Sequence, residues 1–456
     1  MLHRRDAMLR LGQLGLGALS LPGLLRAESA TARPAQHGSA KSCILIYLWG
    51  GPPQQDMWDM KPLAPEGIRS HFKSIQSVVP GIEVCEHMPK FARHTDKIAL
   101  IRSLTHESNV HEPSVYRTLT GRIDNTQVLP RNQRSRAHAP TVGSVVSYFT
   151  PAMAMPAAVT IPRPIGHDGV TYAGTHAGFL GGRFDPMEVE GAKETKEQPT
   201  HPVTLPPDVD ETRLVARRGL LNTLIESDRR WQVEKAASCL DSYRQQAFSM
   251  VTSPKAREAF KLDSEKPQTR DRYGRNEYGE AMLLARRMVE AGVRLVTISW
   301  MYIQKDGNVA NVWDNHGPFE GLSGTDMLKA PYCLPSLDQG FSALMEDLAA
   351  TGLLSETLVG MWGEFGRTPK LNAAQGRDHW GPCQSAVFAG GGIRGGQVYG
   401  QSDAHAAYPK SNPVSPEDML ATVYHALGIS PSWEMHDQLR RPHRLVDGRP
   451  LVELFG

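Results

Sequence analysis

The first apolar block along the chain is Cys43-Ile-Leu-Ile-Tyr-Leu-Trp49, uninterrupted and closed by Gly50-Gly51-Pro52-Pro53. A run without polar alternation suits a strand buried on both faces of a parallel sheet. Lys97 to Arg102 gives a second strand. Further on, the pattern becomes helix, glycine, strand: residues 277–290 have helical composition, Gly292 stops them, and Arg294 to Trp300 reads as a strand. The unit then recurs. Leu337, Phe341, Leu344, Met345 and Leu348 keep the 3.6-residue period, Gly352 ends that helix, and Thr357 to Trp362 follows as a strand. Ser385 to Ala389 is another strand, closed by Gly390-Gly391-Gly392. Near the end, Ser415 caps, Pro416 starts and Gly428 ends a helix. Helices alternating with buried strands predict an α/β fold of three layers, with a mostly parallel central sheet and helices on both faces. Residues 205–275 are polar, charged and helix-prone, and read as a helical insertion.

Length and composition refine this picture. A chain of 456 residues with 40% apolar content fits one large α/β domain with insertions. Lys and Arg (50) nearly balance Asp and Glu (48), which argues against a nucleic-acid partner. The five cysteines, Cys43, Cys85, Cys239, Cys333 and Cys383, contain no C-x-x-C pair. Their odd number argues against a complete disulfide framework, while one or two bridges stay open. Cys43 reads as core.

The chain opens with an address. Arg4-Arg5 precedes a mildly apolar stretch from Leu11 to Leu25, and Ala30-Thr31-Ala32 is the best cleavage site. Residues 1–32 therefore look like a twin-arginine export signal, followed by a linker over 33–40 and the domain over 41–456. The apolar segment is too short for a stable membrane anchor, so the mature protein is expected in the periplasm or outside the cell. The twin-arginine route carries folded proteins, often with cofactor loaded, which hints at a metal.

In open α/β sheets, ligands bind beyond the carboxyl ends of the strands. Five segments lie there. They are Gly50 to Asp59 with Asp56 and Asp59; Thr105 to His111 with His106 and His111; Trp313-Asp314-Asn315-His316-Gly317; Gly363-Glu364-Phe365-Gly366-Arg367-Thr368; and Gly376-Arg377-Asp378-His379-Trp380. Each alone has a plain structural reading. Asp56 and Asp59 suit a helix cap, 314–317 a turn, Glu364 and Arg367 an ion pair, Asp378 and His379 a loop pair, and His106 or His111 a satisfied core or surface histidine. Together they predict a divalent-metal site of oxygen and nitrogen ligands, for one or two ions of zinc, manganese or another borderline metal. Two close ions would also clamp an in-line displacement at phosphorus or sulfur.

These motifs, with Gly391-Gly392-Ile393-Arg394-Gly395-Gly396 and Tyr399-Gly400, resemble the family called domain of unknown function 1501 over nearly the whole mature chain. That family is grouped with the alkaline phosphatase, sulfatase and phosphoglycerate mutase superfamily, so the resemblance implies an alkaline phosphatase-like fold. In addition, the segment from His111 through Pro113-Ser114 to Leu119-Thr120-Gly121 is similar to the sulfatase active-site signature. His111 stands at the nucleophile position and Val115 replaces the signature's Arg.

Carried over residue by residue, the resemblance implies metal ligands at Asp56, Asp314, His316, Glu364 and His379. It sets His111 under the attacked atom, as nucleophile or further ligand. Arg367 and Arg377 would clamp the anion. Asp378 would orient His379 from behind, with Asp59, His106 and Ser114 as supporting residues. Phe365 replaces an expected His ligand, which puts a second ion in doubt. The expected function is an exported metal-dependent hydrolase of a phosphate or sulfate ester, with an anionic ester substrate that is sulfated or phosphorylated, polymeric in one form. The rival is a non-catalytic exported binding protein on a degenerate sulfatase or phosphatase fold that recognises an anionic polymer or metal. A third reading is an exported metal-handling protein.

Overall fold

Strand β1 (Ser42–Tyr47) is buried at every position, the outcome its unbroken apolar run calls for. In the computed structural model, residues 38, 40–123, 134–151, 154–167, 170–189, 209–227, 244–245, 247–300, 302–303, 309–310, 312–319 and 321–456 are described. The segment expected to be an export signal (1–32), most of the expected linker (33–40) and Cys239 lie outside them. The strands that join β1 in one sheet are β2 (Ile98–Leu104), β3 (Ala158–Ile161), β4 (Met187–Glu188), β5 (Leu295–Ser299), β6 (Thr357–Trp362), β7 (Gln384–Ala389) and β8 (Gln397–Tyr399). Their order is β8-β2-β7-β6-β1-β5-β3-β4. All neighbouring pairs are parallel except the two that involve β7, which runs against the rest.

Alternation along β1 divides the core in two. Ile44, Ile46 and Leu48 face the layer of α3 (Glu277–Ala291) and α4 (Leu334–Ala350), where Met282, Leu337, Phe341 and Leu344 are fully buried. Cys43, Leu45 and Tyr47 face the opposite layer, built from α1 (His111–Thr120), α2 (Val142–Phe149) and α5 (Pro416–Ala426). Each fully buried side chain of this size contributes about 1.5–3 kcal/mol of transfer free energy. The architecture is thus the three-layer, mostly parallel α/β fold that the helix-and-strand pattern predicts.

Caps fix the helix ends. The Asn276 side chain accepts from two backbone N–H groups at the start of α3, and Gly292 ends it at φ +104°. Ser415 and Asp418 form a capping box on α5. Between 205 and 275 the described residues hold helices Glu211–Ser227, Pro254–Phe260 and Pro267–Tyr273 and no strand. No described helix is long and apolar enough to cross a membrane. Cys43, Cys85, Cys333 and Cys383 are buried free thiols.

Register positions the site. Tyr47 lies level with Trp362 of β6 and Ser299 of β5. The loops after β1, β5 and β6 therefore leave the sheet side by side. Leu104, the last residue of β2, pairs with Gln384, the first of antiparallel β7, so the segments on either side of them arrive at the same end.

Candidate metal centre

The turn after β1 is made by glycines because it must be. Gly50 and Gly51 hold φ +121° and +87°, a region costly for any residue with a Cβ. A Cβ on Gly51 would also come within 2.5 Å of the Phe365 ring. This close approach lets the turn after β1 grip the loop after β6. The Gly50 N–H donates to both carboxylate oxygens of Glu364, at 2.9 and 3.0 Å, and Glu364 is fully buried.

Glu364 in turn holds His111. His111 Nδ1 lies 2.6 Å from Glu364 Oε1. A carboxylate only accepts, so Nδ1 carries the proton and Nε2 is directed at Asp314 Oδ2, 3.3 Å away. His379 repeats the arrangement with a different partner. Its Nδ1 donates to the Asn109 carbonyl at 3.0 Å, and its Nε2 faces Asp314 Oδ1 at 2.9 Å. His316 Nε2 is 3.3 Å from Asp314 Oδ2, on a side chain about half exposed. Donor atoms of His111, Asp314 and His379 all lie within 4.8 Å of one another. Two ligands on one ion at about 2.1 Å in tetrahedral geometry sit roughly 3.4 Å apart, so the donor spacing of 2.9–3.3 Å fits a shared divalent ion. Two imidazoles and a carboxylate suit zinc or another borderline metal. Each imidazole also has an acceptor fixing its far nitrogen, the usual outer-shell support of a metal-bound histidine.

Electrostatics agree with a cation site. Burial alone would raise the Asp314 carboxyl, but Arg367 and the three imidazoles outweigh it and hold it well below the usual carboxylate range. Burial alone would lower His111, yet Asp314 and Glu364 together lift it to about 9. In effect, carboxylates surround His111 and demand positive charge there.

Aromatic rings close one side. Phe365, fully buried, stacks on His379 with ring centroids 4.6 Å apart and lies 4.9 Å from His111. Trp49 approaches His111 at 6.3 Å.

Other candidate residues sit elsewhere. Asp56 is fully buried against Arg377 Nε at 2.7 Å and also accepts from Ser70 Oγ and the His71 N–H. Its charge is matched there, so it is placed as a structural anion and not in the His111–Asp314–His379 group. The two expected anion clamps are likewise engaged inside the protein, and neither guanidinium reaches solvent. Arg367 donates to the carbonyls of Gly50, Gly51, Trp313 and Arg377 and to Asp314 Oδ1 at 2.7 Å. Arg377 donates to Asp56 and to the carbonyls of Ile68, Arg69, Thr368 and Pro369. Their donors satisfy backbone carbonyls of the loops that surround them.

Glu364 stands behind His111 and outside the three-residue donor group. Asp378 is exposed and accepts from Asn372, so the orienting role expected of it falls to the Asn109 carbonyl. His106 is buried; its Nδ1 accepts from the Ser108 N–H, so its Nε2–H donates to the Glu364 carbonyl at 2.6 Å. Burial, first of all, lowers its pKa. Asp59 binds Lys61 and Ser402, and Ser114 Oγ reaches the Ser108 carbonyl at 3.4 Å. Asn109 was missed by the sequence reading. It acts through its backbone oxygen, and its side chain accepts from the Gly381 N–H at 2.6 Å; only its place between His106 and His111 offered a signal.

Comparison with solved structures finds low-identity resemblances. A phosphonate monoester hydrolase from Silicibacter pomeroyi is 13% identical, covering 91% of this chain and 76% of that one, at a TM-score of 0.40. The PsFucS1 sulfatase from Pseudoalteromonas sp. is 12% identical, covering 87% and 72%, at 0.39. A lipoteichoic acid synthase from Listeria monocytogenes is 9% identical, covering 88% and 75%, at 0.35. Among curated protein sequences no match is found. A family model described as a protein of unknown function, DUF1501, matches residues 40–455, and the chain belongs to that family.

Proposed function

We propose that the protein is an exported metal-dependent hydrolase of phosphate or sulfate esters, on the alkaline phosphatase-like plan that its motifs resemble. One observation carries the reading: His111 and His379 turn their Nε2 atoms onto Asp314 while Glu364 and the Asn109 carbonyl fix their other nitrogens. A divalent ion held by these three residues would supply Lewis-acid stabilisation to an anionic ester. The chain's own groups prepare that position. Glu364 and the Asn109 carbonyl hold the Nδ1–H of the two imidazoles, which leaves Nε2 as the nitrogen that would bind an ion in exchange for its proton; Phe365 excludes water from one side, and half-exposed His316 borders the open side.

His111 is read as a ligand and not as a nucleophile, because both of its nitrogens are committed. The anionic group would be met by the bound ion, since the Arg367 and Arg377 guanidiniums are fully buried and hydrogen-bonded within the protein. The substrate would be encountered outside the cytoplasm, after export directed by the Arg4-Arg5 segment.

The lack of a free guanidinium at the centre favours one alternative, a non-catalytic binding protein for an anionic polymer or metal. The deciding experiment assays the mature protein with zinc or manganese on phosphate monoesters, phosphodiesters and sulfate esters, beside Asp314→Asn. Turnover that disappears in the variant supports the hydrolase. A metal-loaded protein silent on every ester contradicts it and leaves the binding protein.

A further inference from the structure

We infer that the centre takes a single divalent ion per chain, and that the Arg367 guanidinium permanently fills the position of a second cation. The inference rests on reading the centre as a metal site. Three features of the chain carry it.

The first is the supply of donors. A second ion requires its own set of three or four ligands. Glu364 is engaged by the Gly50 N–H and by His111. Asp56 is engaged by Arg377. Asp314 is shared among His111, His316, His379 and Arg367. Among these residues only half-exposed His316 remains to complete the coordination of a first ion.

The second is the guanidinium itself. Arg367 Nη2 sits 2.7 Å from Asp314 Oδ1, and the whole side chain is buried. Carbonyls of four residues hold it, so it cannot swing out to make way. Paired catalytic ions lie about 3.5–4 Å apart. A second divalent ion at that spacing on the Asp314 Oδ1 side would face a fixed positive charge in a water-poor setting, where repulsion is strong. Arg367 already pairs with Asp314, so a second divalent ion there would compete with a charge that the fold has fixed.

The third is space. The ring of Phe365 fills the side between His111 and His379, and Gly51 is the residue that admits it. No ligand can enter there.

The test is ion stoichiometry. The full mature chain is stripped with a chelator, titrated with zinc and separately with manganese by calorimetry, and checked by elemental mass spectrometry. The expected result is one ion per chain, and none in Asp314→Asn. Two ions per chain overturn the inference while leaving the metal centre standing. No ion at all removes the metal centre, and the inference with it. In Arg367→Gln the first ion is expected to bind at least tenfold more tightly, because the fixed charge is gone; equal or weaker binding by the folded variant overturns the role given to Arg367. Should that variant fail to fold, the stoichiometry of the unaltered chain decides.

Discussion

His111 Nδ1 lies 2.6 Å from Glu364 Oε1, and the same carboxylate takes the Gly50 N–H on both of its oxygens. One buried acid thus joins the turn after β1, the loop after β6 and the first residue of α1. Replacing it with an amide alters the tautomer control of His111. Glu364→Gln is expected to weaken metal binding about 10- to 100-fold, the usual effect of losing such an outer partner. Competition with a calibrated chelator measures this; unchanged affinity would show that His111 is not a ligand.

Asp56 and Arg377 form a buried ion pair away from the three donor residues. Removing one member leaves a buried charge unmatched, at a cost of about 3–5 kcal/mol. Asp56→Ala is therefore expected to lower stability by that amount in denaturant unfolding. The fraction that stays folded should keep its full metal content. Loss of metal from folded Asp56→Ala would return Asp56 to the ligand set.

Gly51 and Phe365 are coupled. Gly51→Ala sets a Cβ against the ring and against the Phe365 carbonyl, at a positive φ, and should cost about 1–3 kcal/mol. Phe365→Ala should cost about 3–5 kcal/mol as a cavity in the core. The double variant should lose less than the combined losses, because the ring clash is gone, although the backbone contact stays. Strict additivity in unfolding experiments would contradict the packing described.

His176 supplies a pH dependence outside the His111–Asp314–His379 group. It is 2% exposed, and burial first, then Arg136, lower it from an ordinary 6.5 to about 4. The unfolded chain therefore takes up a proton before the folded one does. Stability is complete above about pH 6.5 and falls as the pH drops toward 4, by at most about 3 kcal/mol from this group. His176→Gln should flatten the decline between these values when unfolding midpoints are compared. An identical decline in both proteins would remove His176 as its source.

Much of the fold could be read from particular residues. Cys43 to Trp49 and Thr357 to Trp362 have no polar break, and Gly292, Gly352 and Ser415 mark helix ends by their own backbone chemistry. The strands Ala158–Ile161, Met187–Glu188 and Gln397–Tyr399 were not seen. They are two to four residues long, and the edge strand Gln397–Tyr399 is only partly buried, so it carries no apolar signature. At the centre, strand-end placement drew notice to His111, Asp314 and His379, which the fold brings together. The surroundings of Arg367 and Arg377 were not legible, because a sequence does not tell whether a guanidinium faces solvent or a cage of carbonyls. Asn109 carried no signal beyond its place between His106 and His111, because its contribution to His379 is a backbone oxygen, which every residue has.

The most direct measurement is anomalous diffraction at the metal absorption edge, on crystals of the mature protein grown with zinc or manganese. One strong peak per chain is expected, bounded by Nε2 of His111, Nε2 of His379 and the Asp314 carboxylate. A peak seated instead on Asp56, or no peak among these three residues, would contradict this expectation.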